Sequence, residues 1–219
     1  MRVLLLTVLG SLLVAGPTSA GLYEPATEPF TAIVEGGQAR AEIVVPQKAD
    51  ALERFAAAEL QAYLEKSSGV KLAVVDESQK NGSLYAFFLG KTQKSKESGA
   101  ALAEETAGRD GFTLQSVPGG MIVLGRNDLG TVFGVYELLE RYFDVRWFMP
   151  GDLGEYVPKR DALQMGRVNL TYKPSFRVRW VGRGEWPLRQ RMNAYVTAGK
   201  ENVGINWKWH FHTFIELIP

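Results

Sequence analysis

Residues 121–158 constrain the fold of this 219-residue chain more than any other segment. An apolar run at 121–124 ends at Gly125, a polar loop follows, and apolar residues then recur at helical spacing over 129–143. The chain returns as an aromatic run at 145–148 and then enters an irregular excursion marked by Pro150, Gly151 and Pro158. This order predicts a packing unit of strand, loop, amphipathic helix and strand.

The segments before this unit have the same alternation of strands and helices. A second amphipathic helix is predicted after Asp50, which is a suitable N-cap, and Gly69 is expected to end it. The apolar stripe on each helix is single, so both helices are expected to cover one face of a mixed sheet. The predicted class is an α/β two-layer sandwich, with strands at 30–34, 41–45, 72–75, 84–89, 112–117 and 121–124.

The first twenty residues are typical of a secretory signal peptide. Arg2 precedes an apolar stretch over 3–15, and the small residues Thr18 and Ala20 stand before the expected cleavage point. We therefore expect cleavage after Ala20, a secreted or periplasmic protein, and no membrane span once the signal is removed. The chain has no cysteine, which excludes disulfides and lipid attachment at a cysteine.

Charge argues against a nucleic-acid partner. Loss of Arg2 with the signal leaves 24 basic and 24 acidic residues, so the mature chain is formally neutral. Proteins that bind nucleic acid rely on excess positive charge. No such partner is expected.

A second unit is predicted from residue 174 onward, after a linker at Tyr172-Lys173-Pro174. Four of the five tryptophans lie in this part of the chain, and strands are expected at 176–181 and 203–209 around a helix-like stretch at 188–198. About 45 residues do not bury a core alone. The expected domains are therefore a signal at 1–20, an α/β domain at 21–173, and the first elements of a further domain at 174–219.

Few residues show a chemical motif. The loop from Gly125 to Thr131 has the glycine spacing of a phosphate loop, but the lysine that should follow Gly130 is missing, so we interpret it as a turn in which Asn127 or Asp128 caps the helix. His210 and His212 would point the same way on a strand, yet no third metal ligand is recognisable. No metal, cofactor or catalytic carboxylate pair is predicted.

Several motifs together resemble a known module. They are AAAELQ-x-YL at 56–64, SGVKL at 68–72, FLG at 88–90, GFT at 111–113, and I-x-LG-x4-G-x3-GVY-x-LLE at 122–140. This set resembles the N-terminal accessory domain that precedes the barrel in α-glucuronidases of glycoside hydrolase family 67 and β-hexosaminidases of family 20. The stretch VRWFMPG-x2-GE-x-VP at 145–158 is more similar still to secreted bacterial proteins of unassigned activity, in which a domain of unknown function follows this module.

The resemblance implies a fold and a site. The module would be non-catalytic and pack beside a (β/α)8 barrel, of which 176–181 would be the first strand and 174–219 an incomplete start. The helix at 129–143 and residues 146–150 would form the face that the barrel contacts. The pattern Pro174-x-Phe176-x-x-Arg179 matches family 20, in which this arginine contacts the sugar, although the next residues depart from that family.

Further substrate-binding candidates follow from chemistry that suits sugars. Aromatic faces and hydrogen-bonding tips make Trp180, Arg183, His210 and His212 candidates beside Arg179. For the tryptophans a role in the core fits equally well. The expected function is the N-terminal part of a secreted carbohydrate-active protein, a glycoside hydrolase similar to α-glucuronidases or hexosaminidases, with its two catalytic carboxylic groups beyond Pro219. The alternative is a non-catalytic polysaccharide-binding or structural module.

Overall fold

The computed structural model describes residues 25–100, 102 and 108–205. Within them the helices are α1 (Ala51–Ser68), α2 (Gln93–Glu97), α3 (Asp128–Tyr142) and α4 (Glu185–Arg189), with 3-10 turns at Glu77–Gln79 and Asp152–Gly154. The strands are β1 (Thr27–Glu35), β2 (Gln38–Ala39), β3 (Ala41–Val45), β4 (Ala73–Asp76), β5 (Tyr85–Leu89), β6 (Phe112–Val117), β7 (Gly120–Gly125), β8 (Arg146–Trp147), β9 (Glu155–Tyr156), β10 (Leu163–Arg167), β11 (Asn169–Tyr172), β12 (Thr197–Ala198) and β13 (Glu201–Asn202).

A six-stranded mixed sheet with the order β11-β6-β7-β5-β3-β4 organises the domain. Strands β4, β3, β5 and β7 run parallel to one another, and β6 and β11 add an antiparallel edge. The strands predicted at 112–117 and 121–124 correspond to β6 and β7, which form a hairpin across the turn at Pro118-Gly119.

Local sequence signals fix both long helices. Asp50 and Glu53 form a capping box at the start of α1, and Gly69 ends that helix in the left-handed conformation at a φ of 75°. The side chain of Asn127 accepts a hydrogen bond from the Gly130 N–H at 2.8 Å and so caps α3. Both predicted caps are confirmed, and the glycine-spaced segment 125–131 contains the end of β7, a short turn at 126–127 and the first residues of α3.

Alternation along the strands separates the two faces of the sheet. Ile43, Phe87 and Val123 belong to the main core with α1 and α3, whereas their neighbours Val44 and Ile122 belong to a smaller apolar cluster on the opposite face. The two long helices therefore share one face, and the α/β two-layer sandwich is confirmed.

A second sheet was not predicted. The excursion after residue 150 contains β10, which pairs with β1 in a three-stranded antiparallel sheet with the order β10-β1-β2. Val168 joins β10 to β11, and its carbonyl accepts a hydrogen bond from Ser116 N at 2.8 Å. The signal was missed because LQMGR in β10 carries no β-branched residue.

The segment after residue 173 differs from its prediction. The expected strand at 176–181 is absent, the helix is α4 at 185–189 rather than 188–198, and short strands β12 and β13 pair before residue 203. Phe176 and Val181 are exposed, and no neighbouring strand within the described residues supplies pairing partners for 176–181. The start of a barrel in this segment stays a prediction.

No helix of the described ranges is long and apolar enough to cross a bilayer.

Candidate functional site

Arg179 lies at the centre of a buried polar network. Its Nη2 is 2.9 Å from Oδ2 of Asp110 and its Nη1 is 3.3 Å from Oδ1. The guanidinium and the carboxylate therefore form a bidentate ion pair. Only 2% of the Asp110 side chain and 11% of the Arg179 side chain are exposed. The Arg179 guanidinium also donates to the carbonyl oxygens of Arg191 and Phe176, both at 2.9 Å.

Asn193 completes this network. Its Nδ2 donates to Asp110 Oδ2 and to the Arg177 carbonyl, each at 2.8 Å, and its Oδ1 accepts from the Arg179 N–H at 2.7 Å. Asp110 lies just before β6, so the network joins the α/β domain to the segment that follows it. Four hydrogen bonds to protein groups engage the Arg179 guanidinium here, and its contact with a sugar stays a prediction.

Trp180 and Arg183, both predicted site residues, meet at Tyr195. The rings of Trp180 and Tyr195 lie edge to face with centroids 6.1 Å apart, and the Arg183 guanidinium carbon is 5.0 Å from the Tyr195 centroid. Trp180 is 42% exposed. No sequence signal singled out Tyr195, because a lone tyrosine after Asn193-Ala194 has no motif. His210 and His212 lie outside the described residues.

The segment after residue 173 makes a second contact with the α/β domain, at α3 and β8. The Trp147 carbonyl accepts hydrogen bonds from Trp186 Nε1 at 3.0 Å and from Gln190 Nε2 at 2.7 Å. Arg191 forms an ion pair with Glu137 of α3 at 3.0 Å. The segment 185–193 therefore packs against the face formed by α3 and the residues after 145.

Two partly buried carboxylates near this face are also engaged. Glu155 accepts hydrogen bonds from Tyr63 Oη at 2.7 Å and from Lys66 Nζ at 2.6 Å. Glu59 accepts from Tyr136 Oη at 2.8 Å. Burial acts to raise the pKa of Glu155, but the hydrogen bonds and charges, with Lys66 first among them, outweigh it and hold that pKa below its usual value.

Replacement of Glu155 by Gln is expected to flatten the acid side of the stability profile. Because the pKa of Glu155 is lowered on folding, its contribution is complete above the pKa of the unfolded chain, near 4.5, and is lost as the pH falls through the folded value. Melting temperatures of both proteins between pH 3 and pH 7 measure this. An equal acid-induced loss of stability in the variant would exclude Glu155 as a source.

Three carboxylates meet where α1 and α3 begin. One oxygen from each of Asp50, Glu53 and Asp128 lies within 4.8 Å of the other two. Lys91 Nζ binds Asp128 at 2.9 Å, and the Lys91 backbone N–H donates to Glu53 at 3.0 Å. Asp50 and Glu53 thus cap α1, Asp128 lies in the first turn of α3, and Lys91 joins the cluster to the loop after β5.

Comparison with known families connects this fold to a module type. Residues 32–138 match the sequence model described as the glycosyl hydrolase family 67 N-terminus, a range that runs from within β1 into α3. This part of the chain is therefore similar to the N-terminal domain of family 67 glycosyl hydrolases. The resemblance predicted from the motifs is thereby confirmed.

Solved structures similar to this chain include glycosidases. A β-hexosaminidase of Streptomyces plicatus is 15% identical with a TM-score of 0.45, and the match covers 70% of this chain and 25% of that one. A GH20 β-N-acetylhexosaminidase of Streptomyces coelicolor A3(2) is 19% identical with the same TM-score and coverages. A family GH115 4-O-methyl-α-glucuronidase is 16% identical with a TM-score of 0.43, and the match covers 66% of this chain and 18% of that one.

The chain thus spans about a quarter of the length of the two hexosaminidases. A comparison with curated protein sequences gives no match.

Proposed function

We propose that this chain is the N-terminal part of an exported carbohydrate-active protein, in which the family 67 N-terminal domain is a non-catalytic support for a glycoside hydrolase domain. One observation carries the proposal: the domain at 32–138 is of a glycosidase type, and the segment 174–205 is held against it through Asp110 and Arg179. The signal-like first twenty residues support export.

The engaged carboxylates support a non-catalytic role. A glycosidase needs two carboxylic groups that face one bond, about 5 to 10 Å apart. Asp110 and Asp128 line a cleft of about 190 Å³, but Arg179 binds the first and Lys91 the second. Glu155 and Glu59 are likewise held by tyrosine hydroxyls. The described residues therefore favour a hydrolytic pair elsewhere in the protein.

The exposed aromatic surface supports a carbohydrate partner. Trp180 is 42% exposed, and Arg183, which lies over the Tyr195 ring, adds hydrogen-bond donors beside it. Sugars bind to such surfaces through their apolar ring faces and their hydroxyl groups. The same surface also suits the alternative, a module that binds polysaccharide without cutting it.

Sugar release separates the two functions. The test is to express the coding sequence together with the codons after 219, and to measure uronic acid and aminosugar released from model glycosides and polysaccharides. Release is the expected result. Retention on an immobilised polysaccharide without any release would support the binding module, and neither release nor retention would contradict both.

A further inference from the structure

A cleft lies between the two sheets and shares no lining residue with the surface at Trp180, Arg183 and Tyr195, which we call the Trp180 surface. β1 and β10 form one wall with Pro29, Thr31 and Arg167, and the loop before β5 and the β6–β7 turn form the other. Its volume is about 630 Å³, which falls within the range of about 300 to 1,000 Å³ typical of small-ligand sites.

The charged side chain that lines the cleft is positive. Arg167 is the only charged residue among those that line it, and no carboxylate does. The Arg167 side chain is exposed, and its guanidinium forms no ion pair or hydrogen bond with the described residues. In contrast, Arg179 and Arg191 are each paired with a carboxylate. An unpaired guanidinium in a cleft without acids favours an anionic group on a ligand.

Side chains with hydroxyl groups line the same cleft as Arg167. The Tyr85 ring packs edge to face on Phe87 at 5.3 Å, and its hydroxyl has no hydrogen bond with the described residues. Burial raises the pKa of Tyr85, so the phenol keeps its proton and remains a donor at any physiological pH. The Ser116 Oγ accepts from the Val168 N–H at 2.9 Å, and its own proton remains available to a ligand.

Apolar groups and glycines complete the walls. Pro29, Leu84 and Pro118 supply apolar contacts, while Gly120 and Gly166 add no side chain to the cleft. A Cβ at Gly166 would stand only 2.8 Å from Phe30 Cε1, so glycine there lets β1 and β10 lie close together. Apolar walls with a few hydroxyl donors suit the C–H groups and hydroxyls of a sugar ring.

We propose that this cleft is a second, non-catalytic binding site for an acidic saccharide, whose carboxylate or sulfate group pairs with Arg167 while its hydroxyls bond to Tyr85 and Ser116. The saccharide class rests on the proposed function. The anionic group rests on the cleft itself. Such a site would hold an acidic polymer on the accessory domain.

Titration calorimetry with three tetrasaccharides tests the site on the purified chain. The probes are a galacturonic acid tetramer, a sulfated galactose tetramer and neutral cellotetraose. Binding of at least one acidic probe is expected to be at least tenfold tighter than binding of cellotetraose and to weaken as salt increases. Equal binding of all three, or binding of none, would overturn the proposal.

Variants locate the bound saccharide. Arg167→Met is expected to weaken binding of the acidic probe at least tenfold, and Tyr85→Phe about threefold or more through loss of one hydrogen bond. Arg40→Met is the matched control, because Arg40 is an exposed arginine that does not line the cleft, and it should bind as the wild type does. Unchanged melting temperatures confirm folding. Undiminished binding by folded Arg167→Met would overturn the proposal.

Failure of this site and failure of the proposed function give different results. Sugar release by the extended protein, with acidic probes that bind no more tightly than the neutral one, would overturn the cleft alone. Arginine-dependent binding in the cleft without any sugar release would retain the cleft and contradict the hydrolase function. A loss of acidic-probe binding in Trp180→Ala that is absent in Arg167→Met would place the saccharide at the Trp180 surface instead.

Discussion

Gly125→Ala is expected to lower the free energy of unfolding by about 3 kcal/mol, the upper range for overpacked interiors. A Cβ at this position would overlap the Thr131 nitrogen, the Gly130 carbonyl carbon and the Asn127 carbonyl oxygen. These are backbone atoms at the start of α3, so no side-chain rotation can make room. Urea unfolding followed by circular dichroism measures the change.

Gly82→Ala is the matched control. A Cβ at Gly82 meets no atom within 4 Å, and the backbone there does not have a positive φ. This variant should unfold within about 0.5 kcal/mol of the wild type, as surface substitutions usually do. Equal stabilities of the two variants would show that the glycine in the loop before α3 is not required for close packing.

Asp110→Ala is expected to cost about 3 to 5 kcal/mol of unfolding free energy, the range for removal of one partner from a buried ion pair. The change leaves the Arg179 guanidinium buried without its counter-charge and deprives Asn193 Nδ2 of one of its two acceptors. Chemical unfolding at neutral pH measures the loss.

A double variant separates the ion pair from general damage at this position. Asp110→Ala with Arg179→Met removes both charges, so it should be less destabilised than the sum of the two single variants by more than about 1 kcal/mol. Exposed Lys66→Met is a control that breaks a more solvent-exposed pair with Glu155 and should cost about 1 kcal/mol or less. Additive losses in the double variant would contradict a direct role of the pair.

The described ends of the helices could be predicted because capping is local. Asp50 and Glu53 are three residues apart, Asn127 caps the N–H of a residue three positions later, and Gly69 directly follows the last turn of α1. The two-layer class followed from single apolar stripes on these helices. These signals need no knowledge of distant partners.

The second sheet and the site depend on partners far apart in the chain. β1 pairs with β10 across more than a hundred residues, and neither strand has a strong apolar alternation. Asp110 and Arg179 are 69 positions apart, and a lone aspartate before β6 gave no reason to pair it with an arginine in the next segment. The strand predicted at 176–181 fails for the same reason, because pattern alone does not supply a pairing strand.

Sugar release by the 219-residue chain on its own is the most direct test of the proposal that the α/β domain is non-catalytic and that another domain hydrolyses the substrate. The chain should be assayed with the substrates used for the protein extended beyond codon 219, at equal molar concentration and below the unfolding temperature of both. We expect release by the extended protein and no release above the uncatalysed background by the 219-residue chain. Sugar release by the 219-residue chain that is lost in folded Glu155→Gln or Glu59→Gln would contradict the proposed non-catalytic role of the α/β domain.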